Sequence, residues 1–340
     1  MPKLVIVRNA AGGDRGRQEA RPAISGCGMR AGLAGSVVTI LAVCVVLLAP
    51  SVAVASDGWS QPSPVDPNFA ATAVSCPSGT FCVAVDRTGD EATFDGRSWT
   101  RPSNLGHPGW INSVSCTSSS FCLAFAGDAF VFDGSSWSYQ ANVDPHGGTV
   151  ISCVSSAFCV GGDYAGDVVT FNGTSWSAPT PVSPYSITAL SCASSSFCAV
   201  AASGYVATFN GTSWTSTQLI DGGEIVSLAC PSSSFCTALD AGGKVMTYDG
   251  TGWTSPADTG LTTGGAVSCP TSTSCVAVDL EGHAIHYDGV SWSNPSDIDA
   301  DNWFGGVSCP TTTFCAAADS SGGALTFDGQ SWSAPVPIGV

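Results

Sequence analysis

The chain has 340 residues, of which 44% are hydrophobic and only 11% are charged. This composition excludes a disordered chain, and 40 glycines with 20 prolines argue against a helical bundle. Its 26 acidic residues outnumber its 10 basic residues, giving a net charge of −16 at pH 7 that excludes nucleic acid as a partner, because an acidic surface repels phosphates.

The N-terminal segment has the form of an export signal. Basic residues precede an uncharged run from Ala31 to Ser56. The end of this run, from Ala53 to Ala55, has the small-x-small pattern that a signal peptidase accepts. We therefore predict that residues 1–55 are a signal peptide that is cleaved before Ser56.

An uncleaved membrane anchor is the alternative, because the apolar run is long enough to cross a bilayer. In both cases residues 56–340 lie outside the cell, secreted or at the cell surface. Six of the 10 basic residues but only two of the 26 acidic residues fall in the leader, so the remainder is the more acidic part. Translation begins at Met1 or Met29, and the sequence leaves both open.

Residues 56–340 contain seven copies of one unit of about 40 residues, a repeat length typical of propellers. In the first copy, Cys76 and Cys82 are followed by an Asp-Gly pair at Asp95 and by Trp99. Each copy predicts four short strands: one before the first cysteine, one after the second, one ending in an aromatic residue, and one at the tryptophan. The Asp-Gly or Asn-Gly pair predicts a two-residue type I′ turn between the third and fourth strands, with positive φ at both residues.

The repeats predict an all-β fold, a seven-bladed β-propeller of four-stranded antiparallel blades with one disulfide per blade. A linear β-solenoid is the alternative. A copy of the fourth-strand segment at Trp59, matching the segment that ends the chain, favours a closed ring. Whether Trp59 adds an edge strand or caps the last blade stays open. The pattern resembles bacterial secreted β-propeller repeat proteins over residues 56–340, which implies the fold and no particular activity.

The two cysteines of each unit lie across the predicted first hairpin, where opposed side chains come close enough to be linked. Metal binding is the alternative, but cysteine ligands usually lie closer in sequence and are joined by further cysteine or histidine ligands. We therefore predict seven local, structural disulfides. The pairs are Cys76–Cys82, Cys116–Cys122, Cys153–Cys159, Cys192–Cys198, Cys230–Cys236, Cys269–Cys275 and Cys309–Cys315.

Residues that interrupt the repeat are the candidates for function, because the repeated residues build the scaffold. Six positions before the first cysteine, three units carry Trp110, Glu224 and Trp303, whereas the other four carry smaller residues. We predict that these three side chains line one ligand-binding rim around the axis, where aromatic rings beside a carboxylate suit sugars. The alternative is that each tryptophan covers its own loop.

A short connector before the last unit carries three alternating carboxylates, Asp297, Asp299 and Asp301. Carboxylate oxygens at this spacing are ligands that calcium accepts. The spacing departs from that of an EF-hand loop, so a solvated acidic loop is the alternative. We predict no other metal or cofactor.

No catalytic residues are predicted, because the four histidines stand outside recognised catalytic motifs and suit surface or packing positions. They are His107, His146, His283 and His286. We expect a secreted, non-enzymatic, monomeric binding module or scaffold that recognises an extracellular glycan or protein through one loop face. It would touch a membrane only through an uncleaved leader. The alternative is a secreted polysaccharide hydrolase or lyase with carboxylates at the axial funnel.

Overall fold

The structure, a computed structural model, describes residues 69–106, 110–300 and 302–338, which form seven four-stranded sheets. The first three blades contain β1 (Ala71–Ser78), β2 (Phe81–Asp86), β3 (Asp90–Phe94), β4 (Ser103–Asn104), β5 (Ser113–Ser118), β6 (Phe121–Phe125), β7 (Ala129–Phe132), β8 (Trp137–Gln140), β9 (Gly148–Ser155), β10 (Phe158–Asp163), β11 (Asp167–Phe171) and β12 (Thr180–Pro181). Blades 4 and 5 contain β13 (Ala189–Ser194), β14 (Phe197–Ala202), β15 (Tyr205–Phe209), β16 (Gln218–Leu219), β17 (Ile225–Ser232), β18 (Phe235–Asp240), β19 (Lys244–Tyr248) and β20 (Ala257–Asp258). Blades 6 and 7 contain β21 (Ala266–Thr271), β22 (Ser274–Val278), β23 (His283–Tyr287), β24 (Ser296–Asp297), β25 (Phe304–Thr311), β26 (Phe314–Asp319), β27 (Gly323–Phe327) and β28 (Val336–Pro337).

Each sheet is an antiparallel meander whose four strands pair in chain order. The first strands of successive blades are neighbours, and β25 of the last blade lies against β1 of the first. The first strands therefore form a closed inner ring, and the predicted seven-bladed β-propeller is confirmed. Within the described ranges no helix is long and apolar enough to cross a membrane. The predicted signal peptide, Trp59 and His107 lie outside the described residues.

A belt of serines links the inner strands from blade to blade. In six blades the residue before the first cysteine is a serine whose hydroxyl oxygen accepts the backbone N–H of the first cysteine in the next blade. Ser75 accepts from Cys116, and Ser308 accepts from Cys76, both at 2.9 Å. The second of these bonds joins the last blade to the first. Blade 5 has Ala229 in the serine position.

Within the described residues the hydrophobic core consists of seven clusters, one at each junction between neighbouring blades. The second cysteine of each pair is buried, as Cys82 and Cys122 illustrate. All seven predicted disulfides are formed, each between cysteines six positions apart. In each blade the repeated tryptophan packs on the aromatic residue that ends the third strand, with ring centroids 5.4 Å apart for Phe94 and Trp99.

The turn between the third and fourth strands is longer than predicted. Phe94 and Trp99 form an isolated bridge that leaves four residues in the turn, and the only positive φ in it belongs to Gly96, at 93°. The Asp95 carboxylate accepts two backbone N–H groups within the turn, at 2.8 and 2.9 Å. The predicted type I′ geometry is therefore wrong, because the aspartate side chain holds a longer loop. Apart from β8, the fourth strands begin beyond the tryptophan.

Candidate functional site

The two faces of the propeller differ in how strictly they follow the repeat. One face carries the turns between first and second strands and between third and fourth strands. On this face, every turn between a first and a second strand starts with a serine or threonine, as at Ser118 and Thr271. The other face carries the connectors between blades and the turns between second and third strands, and we call it the connector face. Its turns begin with residues as different as Arg87, Tyr164 and Leu280, so it is the candidate functional surface.

Large apolar side chains are exposed mainly on the connector face. Among the described residues, nine large apolar side chains are exposed, and five of them lie on this face. They are Trp110, Tyr164, Tyr185, Leu280 and Trp303. Three of the other four lie on fourth strands, at the outside of the blades, and only Val290 projects from a turn of the opposite face. Exposed aromatic groups concentrated on one face mark an interaction surface.

An axial cavity of about 390 Å³ opens on this face. Hydroxyl groups at the starts of the inner strands form part of its wall, and hydrogen bonds to the next blade fix their positions. Thr149 Oγ1 donates to the carbonyl of Ile187 at 2.7 Å, and Thr188 Oγ1 donates to the carbonyl of Ile225 at 2.6 Å. Among the described residues its lining consists of Arg87, Asn112, Thr149, Tyr164, Ser186, Ile187, Thr188, Glu224 and Val226. The cavity thus offers hydroxyl groups, one carboxylate, one guanidinium group and one phenol ring to a ligand.

A second cavity, of about 490 Å³, lies between blades 6 and 7 on the same face. Trp303 and Leu280 supply its apolar wall, and Glu281 and His283 supply polar groups. The Glu281 carboxylate accepts the Thr262 hydroxyl at 2.7 Å. Its mixed walls suit a ligand that is apolar on one side and polar on the other.

The three residues predicted to line one rim lie on the connector face but not in one cavity. Glu224 lines the axial cavity, Trp303 lines the second cavity, and Trp110 lies outside both with 69% of its surface exposed. They enter from blades 5, 7 and 2, respectively. The three side chains therefore share a face but not a cavity, and their role in ligand binding stays a prediction.

Sequence comparison of the repeats missed Tyr164, Leu280 and Arg87, which lie in the turns between second and third strands. These residues all occupy the first position of that turn. The comparison that singled out Trp110 and Trp303 used only the connector position, six residues before the first cysteine. Applied to the first turn position, the same comparison would have found all three.

Buried aspartates shape the turns of the connector face in five blades. They lie at or just after the end of the second strand: Asp86, Asp163, Asp240, Asp279 and Asp319. In each, Oδ1 accepts one or two backbone N–H groups from the following turn. The primary role of these carboxylates is to hold the turns, since a buried carboxylate needs hydrogen-bond donors.

Two blades add a second carboxylate beside the turn aspartate. Asp144 accompanies Asp163, and Asp221 accompanies Asp240. Burial raises the pKa of Asp144 above its ordinary value, and the neighbouring Asp163 carboxylate adds to the effect. Burial and the Asp221 carboxylate likewise raise the pKa of Asp240. Both connector acids lie nine positions before a first cysteine, three positions earlier in the connector than the slot that holds Trp110, Glu224 and Trp303.

The predicted calcium ligands are only partly described. Asp297 lies in β24 opposite His283, and the Asp299 carboxylate accepts the Asn302 side-chain amide at 3.2 and 3.3 Å. Asp301 lies outside the described residues, so a calcium site built from these three acids stays a prediction. Two other groups within the described residues have the geometry to hold a metal ion: Asp144, His146 and Asp163 form one, and Asp279, Glu281 and His283 form the other.

No protein-family model matches the chain, and no curated protein matches it in sequence. Solved structures do match it in fold. The WD40 β-propeller domain of Doa1 is 12% identical with a TM-score of 0.65, and the match covers 80% of this chain and 96% of that one. YCF48 bound to a D1 peptide is 14% identical with a TM-score of 0.61, over 79% of this chain and 95% of that one. At these identities the likeness shows the β-propeller fold alone.

Proposed function

We propose that this chain is a secreted, non-enzymatic binding module or scaffold that recognises an extracellular glycan or protein through its connector face. The observation that carries the proposal is the placement of five of the nine exposed large apolar side chains on that face. The fold fits such a role, and one structure of similar fold, YCF48, is bound to a peptide.

The chemistry of the connector face favours a neutral or basic partner. Tryptophan and tyrosine rings stack on sugar faces and on cationic or apolar side chains. The carboxylates of Glu224 and Glu281 accept hydrogen bonds from hydroxyl or amino groups at the two cavities. With a net charge of −16, the chain would repel an anionic polysaccharide.

Disulfide content supports an extracellular location. Seven disulfides, one per blade, persist in oxidising compartments and are rare in the reducing cytosol. They fit the export signal that the sequence predicts. Each local disulfide stabilises its hairpin against unfolding by about 2 kcal/mol. This added stability suits a protein that works outside the cell.

A second candidate function is polysaccharide hydrolysis or elimination at the axial cavity, favoured by the position of Glu224 in its wall. Hydrolysis of this kind ordinarily needs two carboxylates flanking the scissile bond, about 5 to 9.5 Å apart. Glu224 is the one carboxylate among the described residues that line the cavity. Binding therefore ranks first and catalysis second.

Arrays and activity panels distinguish the two functions. The protein would be screened on glycan and peptide arrays and, in parallel, on a panel of neutral polysaccharides for turnover. We expect saturable binding to at least one array member and no turnover. The enzymatic alternative requires turnover that is lost in Glu224→Gln and kept in Glu281→Gln, whose side chain lies in the second cavity. That result would reject the proposal.

A further inference from the structure

A histidine and three carboxylates meet where the connector before β9 reaches the turn between β10 and β11. His146 Nδ1 lies 3.1 Å from Asp163 Oδ2, 3.5 Å from Asp167 Oδ2 and 3.9 Å from Asp144 Oδ1. Asp144, His146 and Asp163 each offer one ligand atom, and these atoms lie within 4.8 Å of one another. The side chains of Asp144 and Asp163 are fully buried, whereas that of His146 is 46% exposed.

The backbone fixes both buried carboxylates through one oxygen. Asp144 Oδ1 accepts the N–H of His146 at 2.9 Å, and Asp163 Oδ1 accepts the N–H of Asp167 at 2.7 Å. The second oxygen of Asp163 faces the histidine. The second oxygen of Asp144 is buried and has no hydrogen-bond partner. Burying a carboxylate oxygen without a hydrogen-bond partner costs free energy, so a bound cation or a proton would stabilise this oxygen.

The net negative charge of the cluster also favours binding of a cation. Three carboxylates surround one imidazole, which carries at most one positive charge. Among the described residues no lysine or arginine forms an ion pair with any of the three carboxylates. Two neighbouring buried carboxylates cannot both remain ionised without a counter-charge.

We infer that Asp144, His146 and Asp163 bind a divalent transition-metal ion of the Zn²⁺ type, with the Asp167 carboxylate at the edge of the site. Zn²⁺ binds histidine nitrogen and carboxylate oxygen at about 2.0–2.2 Å in tetrahedral sites, which places ligand atoms about 3.4 Å apart. The separations of His146 Nδ1 from Asp163 Oδ2, 3.1 Å, and from the backbone-bonded Oδ1 of Asp144, 3.9 Å, lie on either side of this value. Calcium is the less suitable ion, because it prefers oxygen ligands alone.

A bound ion would crosslink two loops of the connector face. Asp144 and His146 belong to the connector, whereas Asp163 belongs to the end of β10. The next residue, Tyr164, lines the axial cavity, and its backbone N–H already donates to the carbonyl of Gly147 at 3.2 Å. The metal would therefore hold Tyr164 and the connector in their present relation.

The chain contains a matched control in blade 6. His283 Nδ1 lies 3.0 Å from Asp279 Oδ2, much as His146 faces Asp163. There, however, the second acid, Glu281, is not buried and accepts the Thr262 hydroxyl. The blade 6 group lacks a buried, unpartnered oxygen, so we assign the metal to blade 3 alone.

Calorimetric titration with Zn²⁺ alone tests the inference on the full chain, free of affinity tags and with its disulfides formed. We expect one ion per chain, a thermal midpoint that rises with Zn²⁺, and affinity weakened at least about tenfold by His146→Ala or by the nearly isosteric Asp144→Asn. His283→Ala should bind as the wild type does. Circular dichroism would confirm that each variant is folded.

Several results would overturn the assignment. They are the absence of saturable Zn²⁺ binding, binding by His146→Ala equal to that of the wild type, and loss of binding in His283→Ala instead. Equally tight Ca²⁺ binding that His146→Ala leaves unchanged would also overturn it, because it would exclude the nitrogen ligand. None of these results bears on recognition through the exposed aromatic side chains, so the proposed function is judged separately.

Discussion

At the scale of single residues, the turn between the third and fourth strands of every blade contains an aspartate or asparagine whose side-chain oxygen accepts hydrogen bonds. Hydrogen bonds to the carboxylate, first among them that from the Ser136 backbone, lower the pKa of Asp133 to about 2. The pKa of Asp249 is also lowered to about 2, chiefly by a hydrogen bond from the Thr251 hydroxyl. Asn172 accepts the same backbone bonds without a charge. Geometry therefore requires an oxygen at this position, and only the aspartates add pH dependence.

These lowered pKa values predict a loss of stability in acid. A carboxylate whose pKa falls on folding stabilises the folded state above the unfolded pKa, and this contribution disappears as pH falls through the folded pKa. The window for Asp133 and Asp249 therefore runs from about pH 4 to about pH 2. Replacing both with Asn should lower stability at pH 7 toward the value in acid and flatten its decline across the window, because the uncharged amide lacks the contribution of the ionised carboxylate. Denaturant unfolding at each pH measures this.

The reverse substitution is the control. Asn172→Asp should acquire a carboxyl pKa well below 3.8, the usual value for aspartate, which NMR titration of that carboxyl would measure. An unshifted pKa in this variant would show that the turn amides do not stabilise the charge.

At the scale of strands, the inner ring is held by the serine belt as well as by side-chain packing. Six hydroxyl groups each accept a backbone N–H across a blade junction, and the Ser308 to Cys76 bond serves the junction between the ends of the ring. Ala229 breaks the belt at the junction of blades 5 and 6. The strand pattern alone would not show this, because the serine is one small residue in a small-residue strand.

The belt predicts opposite effects for two substitutions. Ser308→Ala should destabilise the protein by about 1 kcal/mol, because it leaves the Cys76 N–H without its acceptor. Ala229→Ser should be neutral or stabilising by up to about 1 kcal/mol, because it supplies the missing acceptor. Denaturant unfolding measures both. Equal destabilisation by the two substitutions would mean that packing, and not the hydrogen bond, sets the junctions.

At the scale of the whole molecule, the repeat and its interruptions divide between two faces. Turns on one face keep the repeated serine, threonine and aspartate residues, while the connector face carries Trp110, Tyr164 and Trp303. The four-stranded arrangement is thus the same in every blade, and five of the nine exposed large apolar side chains of the described residues lie on the connector face. The proposed function is therefore assigned to the connector face and not to any single blade.

The sequence predicted the fold almost completely, because the cysteine spacing and the recurring tryptophan repeat with each blade. It did not predict the true length of the turn at Asp95, since Asp-Gly pairs suit both a two-residue and a four-residue loop. Nor did it bring His146 and Asp163 together. Their contact depends on how a connector folds back on its own blade, and 17 residues separate them in sequence.

The measurement that tests the connector face most directly is the affinity of a partner found on the arrays for face-specific variants. Trp110→Ala combined with Trp303→Ala should weaken binding at least about tenfold, equivalent to about 1.4 kcal/mol. Val290→Ala, which removes an 87% exposed side chain from the opposite face, should leave affinity unchanged. Unchanged affinity in the double tryptophan variant, together with loss in Val290→Ala, would place recognition on the other face and contradict the account.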